Sequence, residues 1–341
     1  MSYQPKNILI TGGAGFIGCN FIRYILKNDD AVKLVNLDNL SYAGSLDNLK
    51  ELPSPERYEF VEGDICDVAL VDSILRKNEI DTIIHFAAES HVDRSITGPA
   101  AFIQSNLIGT FTLLEAVRNY WLNEKSWDET QCRFHHISTD EVYGTLSKTD
   151  PAFTETTPYA PNSPYSASKA GSDHMVRAYF HTYGLPVTTT NCSNNYGPYQ
   201  HGEKFIPTVI RSCLNKEAIP VYGDGTNIRD WLYVDDHCSA IDRVVRTGML
   251  GETYNVGGNN EWSNIDIAKM ICKILDEKIP TDSPYESLIT YVADRPGHDW
   301  RYAIDGAKIS NELGWNPAVT FEQGIVKTVE WYLVYKECLR N

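Results

Sequence analysis

Short apolar runs recur along the first half of the chain, and between them apolar residues fall three and four positions apart. Residues 8–11 read as a strand that runs into glycines at 12–18, after which Phe21, Ile22, Ile25 and Leu26 repeat at helical spacing. A second run, 32–37, stops at Asp38, and a third, 58–61, stops near Asp64 before helical spacing over 68–75. Further runs at 82–87 and 134–138 are interleaved with, or followed by, helical patterns over 102–120 and 165–183. Such alternation predicts an α/β fold with a doubly wound parallel sheet and helices on both faces. Past 187–191 the regularity weakens, and Pro198, Pro207, Pro220, Pro280, Pro284, Pro296 and Pro317 break the pattern into short elements. This predicts a first domain over 1–190 carrying the cofactor and catalytic residues. A smaller, mainly substrate-binding lobe then covers 191–341, with some chain returning to the first domain. No Gly/Ser linker, charge block or repeat separates the two, so a shared interface is the expected ligand site.

Composition narrows the function more than the fold. With 42% hydrophobic and 22% charged residues in 341, disorder and fibrous repeats are excluded. The 30 Lys+Arg against 45 Asp+Glu give −15, a surface that repels a phosphate backbone and argues against nucleic acid as a partner. A phosphorylated substrate must then be received by a few placed cations or helix N-termini. The eight cysteines form no Cys-x-x-Cys pair, which argues for free thiols in a reducing compartment. The chain reaches an apolar strand by Ile8 without a basic leader, and no stretch approaches 18 uninterrupted apolar residues. A cytoplasmic protein with no membrane association is expected, and Asn191-Cys192-Ser193 is read as a chance match to a glycosylation acceptor.

Gly13-Ala14-Gly15-Phe16-Ile17-Gly18 fits G-x-G-x-x-G, and Gly12, Gly15 and Gly18 fit G-x-x-G-x-x-G, directly after a strand and opening a helix. Side chains there would block the tight turn, the approach of backbone N–H groups to a pyrophosphate, and helix-to-strand packing. Asp38, 20 residues beyond Gly18, is placed to accept hydrogen bonds from an adenosine ribose and to repel a 2′-phosphate, favouring NAD over NADP. The first domain is therefore read as Rossmann-type. Asp64-Ile65 either faces the adenine or caps the next helix.

Two further groups carry chemistry. In Tyr165-Ser166-Ala167-Ser168-Lys169 a phenol and an ammonium four residues apart share a helix face, and the cation is expected to lower the tyrosine pKa toward a usable base. Ser138-Thr139-Asp140-Glu141 ends an apolar strand, where an open parallel sheet places its active site. Adjacent carboxylates in a partly dry cleft push their pKa values apart, supplying one acid and one base. The alternative is that Asp140 and Glu141 merely cap the following turn. His91 is read as hydrogen-bonded or solvated, and His135-His136 alternate across a strand and cannot chelate from one face, so no metal is expected.

On Tyr165/Lys169, Thr139-Asp140-Glu141, Ser193-Asn194-Asn195-Tyr196-Gly197-Pro198 and Asp294-Arg295-Pro296-Gly297-His298-Asp299, the chain from about Lys6 to about Tyr335 resembles the extended short-chain dehydrogenase/reductases. Within them it is similar to the dTDP-glucose 4,6-dehydratases. The Asp-Glu pair separates it from sugar-nucleotide epimerases and decarboxylases, and the acidic partner of the Glu is missing in GDP-mannose relatives, which argues for a deoxythymidine nucleotide.

The resemblance implies that Tyr165 takes the proton of the glucosyl 4-hydroxyl while Thr139 hydrogen-bonds it, and that Lys169 holds the nicotinamide ribose. Glu141 then removes the C5 proton as Asp140 protonates the departing 6-hydroxyl, and hydride passes from C4 to NAD and back to C6. It implies an NAD site of Gly12, Gly15, Phe16, Ile17, Gly18, Asp38, Asp64, Ile65, Ala87, Ser105, Tyr165, Lys169 and Asn195. Ser90, Thr139 and Asn194 would reach the sugar, and Lys204, Tyr222, Arg229, Asn264, Arg295 and His298 would serve the nucleotide diphosphate of dTDP-glucose. It also implies a homodimer through a four-helix bundle, consistent with apolar residues on more than one face of 102–120 and 165–183. Phe205, where an aliphatic residue is common, and the long polar loop 123–132 depart from the pattern without touching a catalytic position. A 4-epimerase or decarboxylase on the same fold, or a non-catalytic NAD-binding regulatory protein, stand as alternatives.

Overall fold

The computed structural model describes residues 2–294 and 298–339. Seven strands form one parallel sheet: β1 (Asn7–Thr11), β2 (Lys33–Asp38), β3 (Tyr58–Glu62), β4 (Thr82–His85), β5 (Arg133–Thr139), β6 (Val187–Cys192) and, much later in the chain, β10 (Thr253–Val256). Their spatial order is β10-β6-β5-β4-β1-β2-β3, so the winding reverses between β1 and β4, and the crevice beyond the carboxyl ends of the strands opens there.

β1, β2 and β4 carry the apolar runs the pattern predicts, whereas the interior strands β5 and β6 are rich in polar residues. β5 (RFHHIST) and β6 (VTTTNC) are buried along their whole length. The two strands bond side chain to side chain: His135 Nδ1 and Nε2 lie 2.8 and 3.2 Å from the Thr188 and Thr190 hydroxyls. Asn191 is 0% exposed inside β6, which removes it as a glycosylation acceptor.

Helices cover both faces. Phe16–Asn28 packs on β1 through Phe21, Ile22 and Ile25, joined by Val234, Cys238 and Ile241 of the later helix Val234–Thr247. On the other face the 26-residue helix Pro99–Glu124 runs beside Pro164–Tyr183. By length and composition Pro99–Glu124 is apolar enough to cross a bilayer, but half of its apolar window is buried in the fold, as in a core helix. It contains two π-helical stretches, Ile103–Gly109 and Arg118–Glu124, and extends into the segment expected to be loop. The rest of that loop is tied down by Trp127, whose N–H donates to the Trp121 carbonyl at 2.8 Å.

The chain after β6 builds β7 (Asn194–Tyr196), β8 (Ile219–Tyr222), β9 (Ile228–Tyr233), β11 (Glu261–Ser263) and β12 (Ile289–Val292). They form a three-stranded sheet, β11-β9-β7, and a two-stranded one, β12-β8. Both rest on a second core of Tyr196, Val209, Trp231, Ile271 and Phe321, with Phe205 packed against it. β10 and Val234–Thr247 return to the large sheet, while β7 begins two residues after β6 and lies beside the carboxyl ends of the large sheet's strands.

Candidate active site

The glycines of the turn after β1 differ in what a side chain there would meet. Gly12 has φ +73°, and a Cβ there would lie 2.6 Å from the Ala87 backbone. A Cβ on Gly18 would meet the Gly12 carbonyl at 2.5 Å. Both are required by the turn itself. Gly15, at the helix N-cap, meets only one atom, the Gly12 carbonyl at 3.3 Å, so the protein leaves its outer side open to the cleft. That opening, at a helix N-terminus, is what a pyrophosphate needs. Gly12→Ala is therefore expected to lower Tm by several degrees. Gly15→Ala is expected to leave Tm within about a degree while weakening NAD binding by about tenfold or more. Differential scanning fluorimetry and NAD titration check both.

The turn is braced from β2. Asn36 Oδ1 accepts from the Gly13 N–H at 3.0 Å, and the Asp38 carboxylate accepts from the N–H groups of Ala14 and Leu40, each at 2.8 Å. Burial pushes the Asp38 carboxyl up and these two bonds oppose it. Asp38 lines the cleft with Gly12, Gly15, Phe16, Ile17, Gly18, Ile65, Ala87, Ser105 and Asn195. Asp64 Oδ1 accepts from the Cys66 N–H at 2.8 Å, an Asx turn that leads into the next helix, and its neighbour Ile65 lines the cleft.

Thr139, Asp140, Glu141, Tyr165 and Lys169 meet at the other wall of the same cleft, with Ser90, Asn194 and Lys204 on its rim. Thr139 ends β5, and its hydroxyl accepts from the Glu141 N–H at 3.3 Å, turning the chain so that the two carboxylates follow at the strand end. Asp140 is 1% exposed. Its Oδ1 takes a 3.4 Å bond from Thr139 and its Oδ2 is buried with no partner. Burial first, then the neighbouring Glu141 and Asp230, push its carboxyl well above the usual range, with Arg229 opposing. Asp140 is thus the carboxyl that burial disposes to hold its proton, with a second carboxylate beside it. Capping is done by Thr139, not by Asp140.

Tyr165 and Lys169 enter on the first turns of Pro164–Tyr183, a helix opened by a capping box in which Ser163 and Ser166 bond reciprocally. The Lys169 ammonium donates to the Ile137 carbonyl at 2.7 Å. The expected lowering of the tyrosine pKa is corrected by the structure. Burial, then Glu141, drive the Tyr165 phenol well above its ordinary value, and a hydrogen bond with Thr139 only partly offsets them. In this fully buried position desolvation outweighs one cation a turn away.

The remaining expected residues gather elsewhere. Tyr222, Arg229, Asn264 and His298 do not line the cleft. Arg229 lies over the Tyr302 ring at 4.3 Å and donates to the Asp299 carbonyl at 2.9 Å. The Asn264 N–H bonds the Asn227 carbonyl, and Asn227 Nδ2 reaches the Asp299 carbonyl at 3.3 Å. The Tyr222 and His298 rings stand 6.1 Å apart, so these residues form a patch of their own, joined to the cleft by the field of Arg229 on Asp140. Arg295 lies outside the described residues.

Several participants were not anticipated. Asn106, in the first π-helical stretch, clamps both backbone groups of Glu89 at 2.8 and 3.0 Å and donates to Ser168, the neighbour of Lys169. His237 Nδ1 lies 2.9 Å from Asn195 Oδ1. Nothing in the local sequence marks either residue, because the contacts bridge distant segments. His91 and His201 flank Glu203, each at 3.7 Å, and among the described residues no group of His, Cys, Asp and Glu is arranged to hold a metal.

Known proteins resemble this chain in sequence and fold. A family model described as GDP-mannose 4,6 dehydratase matches residues 9–328. The chain is 57% identical over 343 residues to a dTDP-glucose 4,6-dehydratase of Shigella flexneri, covering 98% of this chain and 94% of that protein. It is 59% identical over 327 residues to one of Xanthomonas campestris pv. campestris (strain B100), covering 95% and 92%. Among solved structures, a dTDP-glucose 4,6-dehydratase from Streptomyces venezuelae with NAD and TYD bound superposes with a TM-score of 0.87 at 45% identity, covering 97% of this chain and 98% of that one. The family's description names a guanosine sugar, whereas these relatives are named for a thymidine one. The chain belongs to this family of nucleotide-sugar 4,6-dehydratases, alongside members named dTDP-glucose 4,6-dehydratase.

Proposed function

We propose that the protein is a dTDP-glucose 4,6-dehydratase, an NAD-dependent hydro-lyase that converts dTDP-glucose to dTDP-4-keto-6-deoxyglucose and water for deoxysugar synthesis. The observation that carries this reading is a buried Asp140, its carboxyl pushed well above the usual range, next to Glu141 in the cleft that also holds Tyr165 and Lys169. An epimerase needs no acid for a leaving hydroxyl; an elimination needs an acid and a base together.

The residues fit NAD: the open side of Gly15 suits its pyrophosphate, Asp38 its adenosine ribose, and Lys169 its nicotinamide ribose. When bound, NAD accepts hydride from C4 and returns it to C6. Tyr165 takes the proton of the 4-hydroxyl, and Thr139, bonded to the phenol, steadies it. Because its surroundings hold the Tyr165 phenol protonated, it would need positive charge beyond Lys169, which an oxidised nicotinamide bound in the cleft would supply. Once C4 is a ketone the C5 proton is acidic, and Glu141 removes it. Asp140 gives its proton to the departing 6-hydroxyl, water leaves, and Glu141 returns a proton to C5 as C6 is reduced. The proton left on Tyr165 restores Asp140 through solvent, which closes the balance.

Ser90 and Asn194 hold the sugar, and Lys204, whose ammonium donates to the Ser90 carbonyl at 3.1 Å, stands at the rim toward the diphosphate. The patch of Tyr222, Arg229, Asn264 and His298, with Arg295, receives the rest of the nucleotide, so the lobe from 191 onward is mainly the substrate lobe. Turnover of dTDP-glucose, UDP-glucose and GDP-mannose compared under one condition tests the assignment. We expect the first to be preferred by about tenfold or more in kcat/KM; preference for either other nucleotide, or an epimerised product, contradicts it.

Ile103, Ile108 and Phe111 on Pro99–Glu124, and Tyr183 on Pro164–Tyr183, are 40–47% exposed. This apolar surface supports a homodimer through a four-helix bundle. Phe111→Glu is expected to halve the mass seen by light scattering at micromolar protein; a wild-type monomer would contradict the dimer. All eight cysteines are free, six of them buried, which supports a reducing, cytoplasmic setting.

A further inference from the structure

Asp173 sits one helical turn beyond Lys169, as Lys169 sits one turn beyond Tyr165, and the catalytic cycle above makes no use of it. Its side chain is 5% exposed, and three groups converge on the carboxylate. His136 Nε2 lies 3.0 Å from Oδ1, while the Ser138 and Tyr159 hydroxyls donate to Oδ2 at 2.7 and 3.0 Å. His136 and Ser138 flank Ile137 on β5, the residue whose carbonyl receives the Lys169 ammonium. One stretch of three residues thus docks both charges of the helix, one turn apart. Tyr159 is itself held by Asn191 Nδ2 at 3.1 Å.

A buried carboxylate is costly unless a cation answers it. We propose that Asp173, held by His136, Ser138 and Tyr159, is a positioning residue that supplies the countercharge keeping the catalytic Lys169 ammonium ionised at its buried position on the cleft wall.

The neighbouring charges leave one candidate for this pairing. Burial and the field of Lys169 pull His136 down to about 4, so the imidazole is neutral at pH 7 and adds hydrogen bonding rather than charge. The other titratable groups near Lys169 are Tyr165 one turn back, whose phenol burial drives well above its ordinary value, His85 from β4, which burial also keeps neutral, and Cys192 from β6, whose thiol burial pushes up to about 12. Among the described residues, Asp173 is the ionised partner that remains. Burial pulls Lys169 below its ordinary value and Asp173 opposes the fall; removing Asp173 lets it fall further. The alkaline limb of the pH–rate profile, set by loss of the Lys169 proton, then moves to lower pH.

This inference rests on the role given to Lys169 above, but its test does not depend on turnover. Asp173→Asn keeps the shape and an acceptor oxygen, and neutral His136 can exchange tautomers to meet the amide. The melting temperatures of the wild type, Lys169→Met, Asp173→Asn and the double variant form one cycle. A charge pair predicts that the double variant loses several degrees less than the sum of the two single losses, and that it folds even if Asp173→Asn alone does not. Additive losses overturn the proposal. With dTDP-glucose, Asp173→Asn should shift the alkaline limb by about one pH unit to the acid side, equivalent to a tenfold change in proton affinity, and Asp173→Glu should restore it. A uniform loss of rate with an unmoved limb would mean that Asp173 only docks the helix.

Discussion

Asp140→Asn is expected to halt the reaction between its two hydride transfers. The amide preserves the size of the side chain and its bond to Thr139 but has no acidic proton to give, so oxidation at C4 proceeds while the 6-hydroxyl cannot leave. General acid catalysis typically contributes 10²–10⁴-fold, so dehydration should fall by at least about 10²-fold, and reduced cofactor should accumulate in a single turnover, visible by its absorbance. The variant should also be more stable than the wild type. Asp140 has a raised folded-state pKa, so its contribution to stability is present at low pH and is lost as pH rises from the ordinary carboxylate value toward the folded one. At pH 7 the carboxyl is therefore a cost that the amide removes, and Tm should rise by a few degrees. A variant that dehydrates normally, or accumulates no reduced cofactor, would remove Asp140 from the acid role.

Tyr165→Phe should fail earlier. Without the phenol nothing in the cleft takes the 4-hydroxyl proton, so the first hydride transfer should slow by about 10³-fold or more and no reduced cofactor should appear. The raised phenol adds a pH signature. Below its pKa the phenolate fraction grows tenfold per pH unit, so in the wild type the rate of C4 oxidation should climb with pH on the acid side, and in Tyr165→Phe that slope should vanish. The two variants thus separate the half-reactions: one traps reduced cofactor, the other never makes it. Stopped-flow absorbance over a pH series reads both.

The parts of the site legible in sequence are those that depend on local spacing. The glycine turn, Asp38 at the end of β2 and the i, i+4 pair Tyr165/Lys169 lie within single supersecondary units, and the structure puts them in one cleft. Strand lengths of the first half were equally local, whereas β8 and β9 exist only because a second core of residues from 196 to 339 folds around them. The run 134–138 marked β5, but the polarity of β5 and β6 was not legible as interior strand, because His135 and the β6 threonines meet only once the strands are side by side. Asn106 and His237 act across 62 and 42 residues, and no window of sequence contains both ends. Asp173 was within reach: it continues the four-residue rhythm of Tyr165 and Lys169. The error in the direction of the Tyr165 shift has a physical source, since spacing reports a nearby cation but not the depth of burial that outweighs it.

The sharpest test of the whole account is to run the NAD-loaded protein with dTDP-glucose in deuterated water and locate the label by NMR and mass spectrometry. Removal of the C5 proton by Glu141, and its return after exchange with solvent, predict a 4-keto-6-deoxy product with one deuterium at C5 and none at C6, where the hydrogen arrives as hydride from C4. An epimerised or unchanged sugar, or solvent deuterium at C6, would contradict it.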